Sequence, residues 1–154
     1  MSSKSEMIAP CGLYCAECPS YTGIIPDLAR DLRKALRVYR YDKISSALAE
    51  LPFFKEFKDY ENAYEVMGAL VKMRCSKGCR SGGGNPFCNM KKCTERKGFE
   101  GCWECDAIKS CKKLNELNST HGEAHRKNLR KLKTKGVDEF LAGKKHWWVT
   151  PKKK

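Results

Sequence analysis

Apolar and charged positions alternate along the first half of the chain with the period of a helix. Leu28, Leu32, Ala35, Leu36 and Tyr39 recur at helical spacing over residues 26–41, and Arg30, Arg33, Lys34, Arg37 and Arg40 cover the other side. The pattern predicts an amphipathic helix. A second, shorter helix is predicted over 42–51, where Ile44, Ala47, Leu48 and Leu51 share one side. Pro52 ends it and suits the first turn of the next helix. That third helix, 52–73, carries Phe53, Phe57, Tyr60, Tyr64, Met67 and Val71 at the period of a helix. An aromatic stripe can stack bases, but at this spacing it is assigned to the core.

Beyond residue 106 the same period returns. Ile108, Cys111, Leu114 and Leu117 predict a helix over 107–118. Thr120 with Glu123 has the form of a capping box for another helix, ending near Gly136, and 137–141 forms a last short turn. Trp147 and Trp148 are expected to dock on the body, with the terminal lysines mobile. There is no run of alternating strands and helices. The predicted fold is mainly α, a small helical domain with a Cys-rich, loop-rich metal-binding region and little or no β-sheet.

Composition changes the picture at one stretch. Seven of the ten cysteines fall between Cys75 and Cys111, in "CSKGCRSGGGNPFCNMKKCTERKGFEGCWECDAIKSC". Cys75 pairs with Cys79, Cys88 with Cys93, and Cys102 with Cys105 at the short spacings that let two thiolates reach one tetrahedral ion. Between the pairs, residues 81–86 ("SGGGNP") offer little apolar surface, so a metal is expected to hold them. Upstream, Cys11, Cys15 and Cys18 form CxxxCxxC, three thiols in eight residues. Radical enzymes that use S-adenosylmethionine carry that spacing, but on a large βα barrel, which this short helical chain lacks.

A chain of 154 residues with 41% apolar content is read as one soluble domain. Within it lie an N-terminal Cys cluster (7–25), a helical hairpin (26–73), the central stretch (75–111) and a basic helical part (112–154). No segment is long and apolar enough to span a bilayer, and the first ten residues lack the apolar core of a signal peptide, so the expected location is cytoplasmic and no membrane partner is expected. In a reducing compartment, clustered thiols point to metal or redox chemistry before disulfides.

Of the net charge of +13, residues 109–154 supply about ten, with fourteen Lys and Arg against four acids. Lys127, Arg130, Lys131, Lys133, Lys135, Lys144 and Lys145 suit an anionic partner such as RNA or an acidic protein, and the plainer alternative is a solubilising surface. His121 and His125 stand four apart in the stripe of Leu129 and Leu132. A metal can bridge such a pair, but without a Glu after the first His there is no HExxH motif, and they are read as core or capping residues. A nucleophile elbow, a GxxxxGK[ST] phosphate loop and paired carboxylates are all missing, so no catalytic residue is assigned and the reading leans away from an enzyme.

The blocks "CGLYCAEC", "CSKGCRSGGGNPFCNMKKC" and "KGFEGCWEC" with Cys111, followed by "HGEAHRKNLRKLKTKGVDEFLAGKKHWW", resemble the domain-of-unknown-function family 3795, DUF3795. The resemblance covers nearly the whole chain. It implies a small Cys-rich protein of the archaeal and bacterial kind described as metal-binding, most often zinc-binding, with no established reaction. Some members carry a further cysteine where this chain has Asn85.

The ten cysteines Cys11, Cys15, Cys18, Cys75, Cys79, Cys88, Cys93, Cys102, Cys105 and Cys111 are the candidate ligands. Four-ligand arithmetic favours about two zinc ions with two thiols left over. The grouping expected is Cys11, Cys15 and Cys18 with one central cysteine, and Cys75, Cys79, Cys102 and Cys105 together. Lys77, Arg80, Lys91, Lys92 and Arg96 stand near enough in sequence to offset thiolate charge. The expected function is a zinc-stabilised module that binds RNA or another protein. The alternative is an iron–sulfur protein in electron transfer or radical chemistry, since thiolates serve both.

Overall fold

Residues 4–150 are described by a computed structural model. Among them are seven α-helices and several 3-10 turns but no strand; the only sheet-like pairings are isolated bridges between Ile8 and Tyr14 and between Gly122 and Val149. The mainly α architecture follows the helical periodicity. No helix among the described residues is long and apolar enough to cross a membrane. The terminal lysines expected to be mobile, Lys152–Lys154, lie outside the described residues. Two compact units make up the chain, one of Met1–Tyr21 with Ser76–Lys154 and one of Thr22–Cys75.

The second unit holds α2 (Ile24–Val38), α3 (Tyr41–Ala49) and α4 (Tyr60–Lys72), after a single turn α1 (Pro19–Thr22) that closes the preceding segment. Pro26 sits in the first turn of α2, where its missing N–H costs nothing. The helix ends at Val38, and Arg40, at φ 58°, turns the chain into α3. α2 and α4 run antiparallel. Arg74, past the end of α4, meets Asp27 in the first turn of α2 at 3.6 Å, while the Arg33 guanidinium lies 4.3 Å from the centre of the Tyr64 ring.

The single helix expected over 52–73 is broken. Residues 51–54 make a turn, Lys55–Asp59 is a 3-10 turn, and only Tyr60–Lys72 is α-helical. Pro52 carries no N–H to continue a ladder, and the chain uses it to leave α3. The aromatic stripe is accordingly split. Tyr60 stacks on Tyr64 with ring centres 5.9 Å apart, and Phe57 stacks on Tyr41 at 6.2 Å, but Phe53 is 88% exposed and is no core residue.

The first unit has the true apolar core: Met7, Ile8, Ala9, Leu13, Met90, Trp103, Ile108, Leu114, Leu129, Leu132 and Phe140, with Cys11 and Cys15 among them. Its elements are α5 (Asn89–Lys97), α6 (Asn118–His121) and α7 (Ala124–Ala142). α5 falls inside the Cys-rich, loop-rich central stretch, past residues 81–86. α7 is interrupted at Gly136, near the expected end, and the turn expected over 137–141 continues it to Ala142. No capping box forms: the Thr120 hydroxyl donates to the Leu117 carbonyl, and Glu123 precedes α7 without a side-chain cap.

The helix expected over 107–118 is also absent. In its place are two 3-10 turns, Asp106–Ile108 and Lys113–Leu117, leading into α6. Arg126 of α7 explains the break. Its buried guanidinium donates to the carbonyls of Ile108, Lys109 and Cys111 and to Oδ1 of Asn115, so carbonyls that an α-helix would spend on its own N–H groups are turned towards a cation. Asn128, fully buried, clips the chain end in the same manner, donating to the His146 carbonyl at 2.9 Å and accepting from the His146 N–H at 3.0 Å. Trp147 docks edge-on against His121, with ring centres 4.6 Å apart, whereas Trp148 is 53% exposed.

Candidate functional site

No disulfide joins the ten cysteines, which are present as thiols. Folding gathers most of them into two neighbourhoods in the first unit. The first is built by α5 and the turns that follow it. Cys93 on α5, Cys102 and Cys105 at the ends of a 3-10 turn, and Cys111 between two turns all line one cavity of about 30 Å³, walled by Met90, Ile108 and Leu114. That volume suits a single ion or water rather than an organic ligand.

Two lysines face these thiols. The Lys113 ammonium donates to the Cys93 sulfur at 3.1 Å and holds that thiol below its ordinary range, with Lys97 and Arg96 adding to the effect. Lys97 reaches the Cys105 sulfur at 3.7 Å. Cys102 is the opposite case. Burial, with Cys11, Cys111, Cys93 and Cys105 around it, pushes its thiol up to about 12. Each thiolate formed in so crowded a cluster makes the next harder to form.

The second neighbourhood joins the N-terminal segment to the stretch after Ser76. Residues 8–14 fold into a tight loop in which Ala9 N–H bonds the Leu13 carbonyl at 2.8 Å, presenting Cys11 and then Cys15 to the core. Gly12 makes this possible at φ 85°: a β-carbon there would lie 2.9 Å from the Leu129 side chain. The Cys79 N–H donates to the Cys15 sulfur at 3.4 Å. Hydrogen bonds from Cys79 and the nearby Arg80 charge lower the Cys15 thiol to about 6, while burial pushes Cys11 up to about 12, with Cys88 and Cys15 close enough to add to it. Arg80 also donates to the Ile8 carbonyl at 2.7 Å and lies over the Trp103 ring, which ties the glycine-rich stretch to the core.

Cys102 and Cys105, grouped by sequence with Cys75 and Cys79, line one cavity with Cys93 and Cys111, and Cys11 lies close enough to act on Cys102. Cys79 lies against Cys15, a central cysteine beside the N-terminal cluster. Cys18 and Cys75 are half-buried, and Cys75 is the last residue of the second unit. Among the described residues no three His, Cys, Asp or Glu side chains already stand in a geometry that holds a metal ion. Of the cations expected to offset thiolate charge, Arg80 and Arg96 act on Cys15 and Cys93. Lys97 and Lys113 were not singled out by spacing, since Lys113 reaches Cys93 across 20 residues.

His121 and His125 are placed as packing residues. Nδ1 of His121 donates to the Trp147 carbonyl at 3.0 Å, and burial lowers its pKa. His125 is completely buried, neither ring nitrogen has a hydrogen-bond partner, and burial with the Arg126 and His121 charges lowers its pKa to about 4. In the basic C-terminal part several cations hold structure: Lys133 pairs with Asp106 at 2.7 Å, Lys135 with Glu139 at 2.7 Å and Lys145 with Glu17 at 3.6 Å. Lys127, Arg130 and Lys144 are exposed.

No curated protein and no solved structure matches the chain. A family described as "Protein of unknown function (DUF3795)" matches residues 7–116. That span contains all ten cysteines and the whole second unit, and through it the chain belongs to the DUF3795 family.

Proposed function

We propose that this protein binds metal, with zinc in two structural sites: one of Cys93, Cys102, Cys105 and Cys111, the other of Cys11, Cys15, Cys79 and Cys88. The observation that carries the reading is the convergence of four thiols, from α5 and from turns up to 18 residues away, on one cavity of about 30 Å³. All-thiol donor sets suit zinc in closed tetrahedral sites. A bound dication would supply the positive charge that the crowded Cys102 thiol lacks, and Lys97 and Lys113 would offset the remaining excess.

The test is metal analysis with a visible spectrum on one anaerobic preparation. About two zinc ions per chain are expected by four-ligand arithmetic. Cys102→Ser should lose about one of them, and Cys79→Ser the other. Iron with acid-labile sulfide and a brown colour would overturn zinc in favour of electron transfer or radical chemistry, and the absence of stoichiometric metal would overturn both.

The exposed Lys127, Arg130 and Lys144 support an anionic partner for the basic end, RNA before an acidic protein. Three phosphate contacts predict about a 40-fold loss of affinity for a short RNA between 50 and 200 mM salt. No binding at the lower salt would leave the charge as a solubilising surface.

A further inference from the structure

We propose that an open cavity beside the first half of α7 binds a phosphate monoester of nucleotide size. The cavity lies within the first unit and has a volume of about 550 Å³, and Lys109, Arg126 and Arg130 line it together with Asn115, Asn118 and Glu123. That volume admits a mononucleotide, whereas the thiol-lined cavity admits an ion. Arg126 stands in its wall as a cation with no counter-charge. Its two terminal nitrogens are spent on three carbonyls and one amide oxygen, all neutral, and its Nε takes no part in those bonds. Lys109 and Arg130 are exposed, and among the described residues neither they nor Arg126 form an ion pair. Their neighbours Lys133 and Lys135 differ, each holding a carboxylate.

Neutral partners satisfy the donors of a buried guanidinium but leave its charge unbalanced, and in a poorly solvated wall that charge draws an anion. A phosphate suits three such cations, because its oxygens accept charge-assisted hydrogen bonds from several directions. Glu123 sets the rest of the ligand. Its carboxylate forms no ion pair and caps no N–H of α7, so it repels a second phosphate and accepts from a hydroxyl or amino group. Three cations less one carboxylate leave a charge of +2 on the cavity, which a phosphate dianion on a neutral, donor-bearing body balances. A nucleoside monophosphate has that form, free or as the phosphorylated end of an RNA. The assignment is separate from RNA binding at the basic end, since Lys109 is not among the cations proposed there.

Titration calorimetry of the full chain tests this, with adenosine monophosphate, adenosine and inorganic phosphate as probes. The monophosphate should bind saturably below about 1 mM, and adenosine and phosphate at least about tenfold more weakly. Lys109→Ala and Arg130→Ala should each weaken the monophosphate about tenfold and leave the far-ultraviolet spectrum unchanged, because both side chains are exposed. Glu123→Ala should lower the affinity for the monophosphate relative to that for phosphate. A short RNA with and without a terminal phosphate distinguishes the sources. Tighter binding of the phosphorylated form, lost in Lys109→Ala, assigns an RNA end; equal binding of the two forms beside a bound monophosphate assigns a free nucleotide. Lys127→Ala should weaken both RNAs and leave the monophosphate unaffected, which separates the cavity from the basic end. No saturable binding of the monophosphate or of the RNA's terminal phosphate would overturn the proposal, as would binding indifferent to Lys109→Ala and Arg130→Ala, or inorganic phosphate held as tightly as the monophosphate.

Discussion

A buried imidazole without hydrogen bonds is an unusual way to fill a core, and His125 makes the fold sensitive to acid. Its pKa falls from the ordinary 6.5 to about 4 in the folded chain, chiefly through burial. Between those values the unfolded chain holds the proton and the folded chain does not. Stability is therefore complete above pH 6.5 and declines as the pH falls towards 4, by roughly 1–3 kcal/mol. His125→Leu should flatten that part of a plot of Tm against pH and be neutral or slightly stabilising at pH 7, since it removes two unpaired polar atoms without opening a large cavity. A steep loss of stability at pH 7 would show that the ring has a partner. In the sequence, His121 and His125 were legible as two residues on one side of a helix. Their different fates depend on the bond from His121 to the Trp147 carbonyl, which spacing cannot convey.

At the scale of elements, Arg126 decides the path of residues 106–117. Arg126→Met would leave three backbone carbonyls and the Asn115 amide oxygen without their donor, which predicts a loss of about 2–4 kcal/mol in urea unfolding. Arg126→Lys should recover little of it, because one ammonium cannot span the fork of acceptors. Faster hydrogen exchange confined to 106–117 would locate the damage, and unchanged exchange there would refute the assignment. This is also why the helix expected over 107–118 fails: its apolar spacing is genuine, as the buried Ile108 and Leu114 show, but a distant side chain takes its carbonyls. α5 is the opposite case, a helix that the sequence reading left unassigned. Arg96 and Lys97 in a last turn followed by Gly98 at φ 65° form a recognisable helix stop, and the density of cysteines around them obscured it. Asn128→Ala should release the segment around His146–Val149 from α7, seen as added protease sensitivity there, with α7 itself unchanged.

For the whole molecule, the two units predict two separable transitions. On anaerobic chelation, hydrogen exchange should accelerate in 76–117 and in 7–18, where the proposed ligands lie, while α2 and α4 keep their protection. Equal loss across both units would mean that the metal, if present, is not confined to the first. The helical class was readable from periodicity alone. That the chain makes two units was not, because the first is assembled from residues at both ends and no local pattern marks that union. The same discontinuity governs how the protein is made. Cys15 emerges from the ribosome 64 residues before Cys79, so its partner is still unmade for roughly 3–13 s at ordinary rates of translation. Through most of that interval the second unit is itself still being made, and the earliest thiols stand without their partners. The newly made chain is thus most open to oxidation, or to capture of the wrong metal, before the last third of the message has been read.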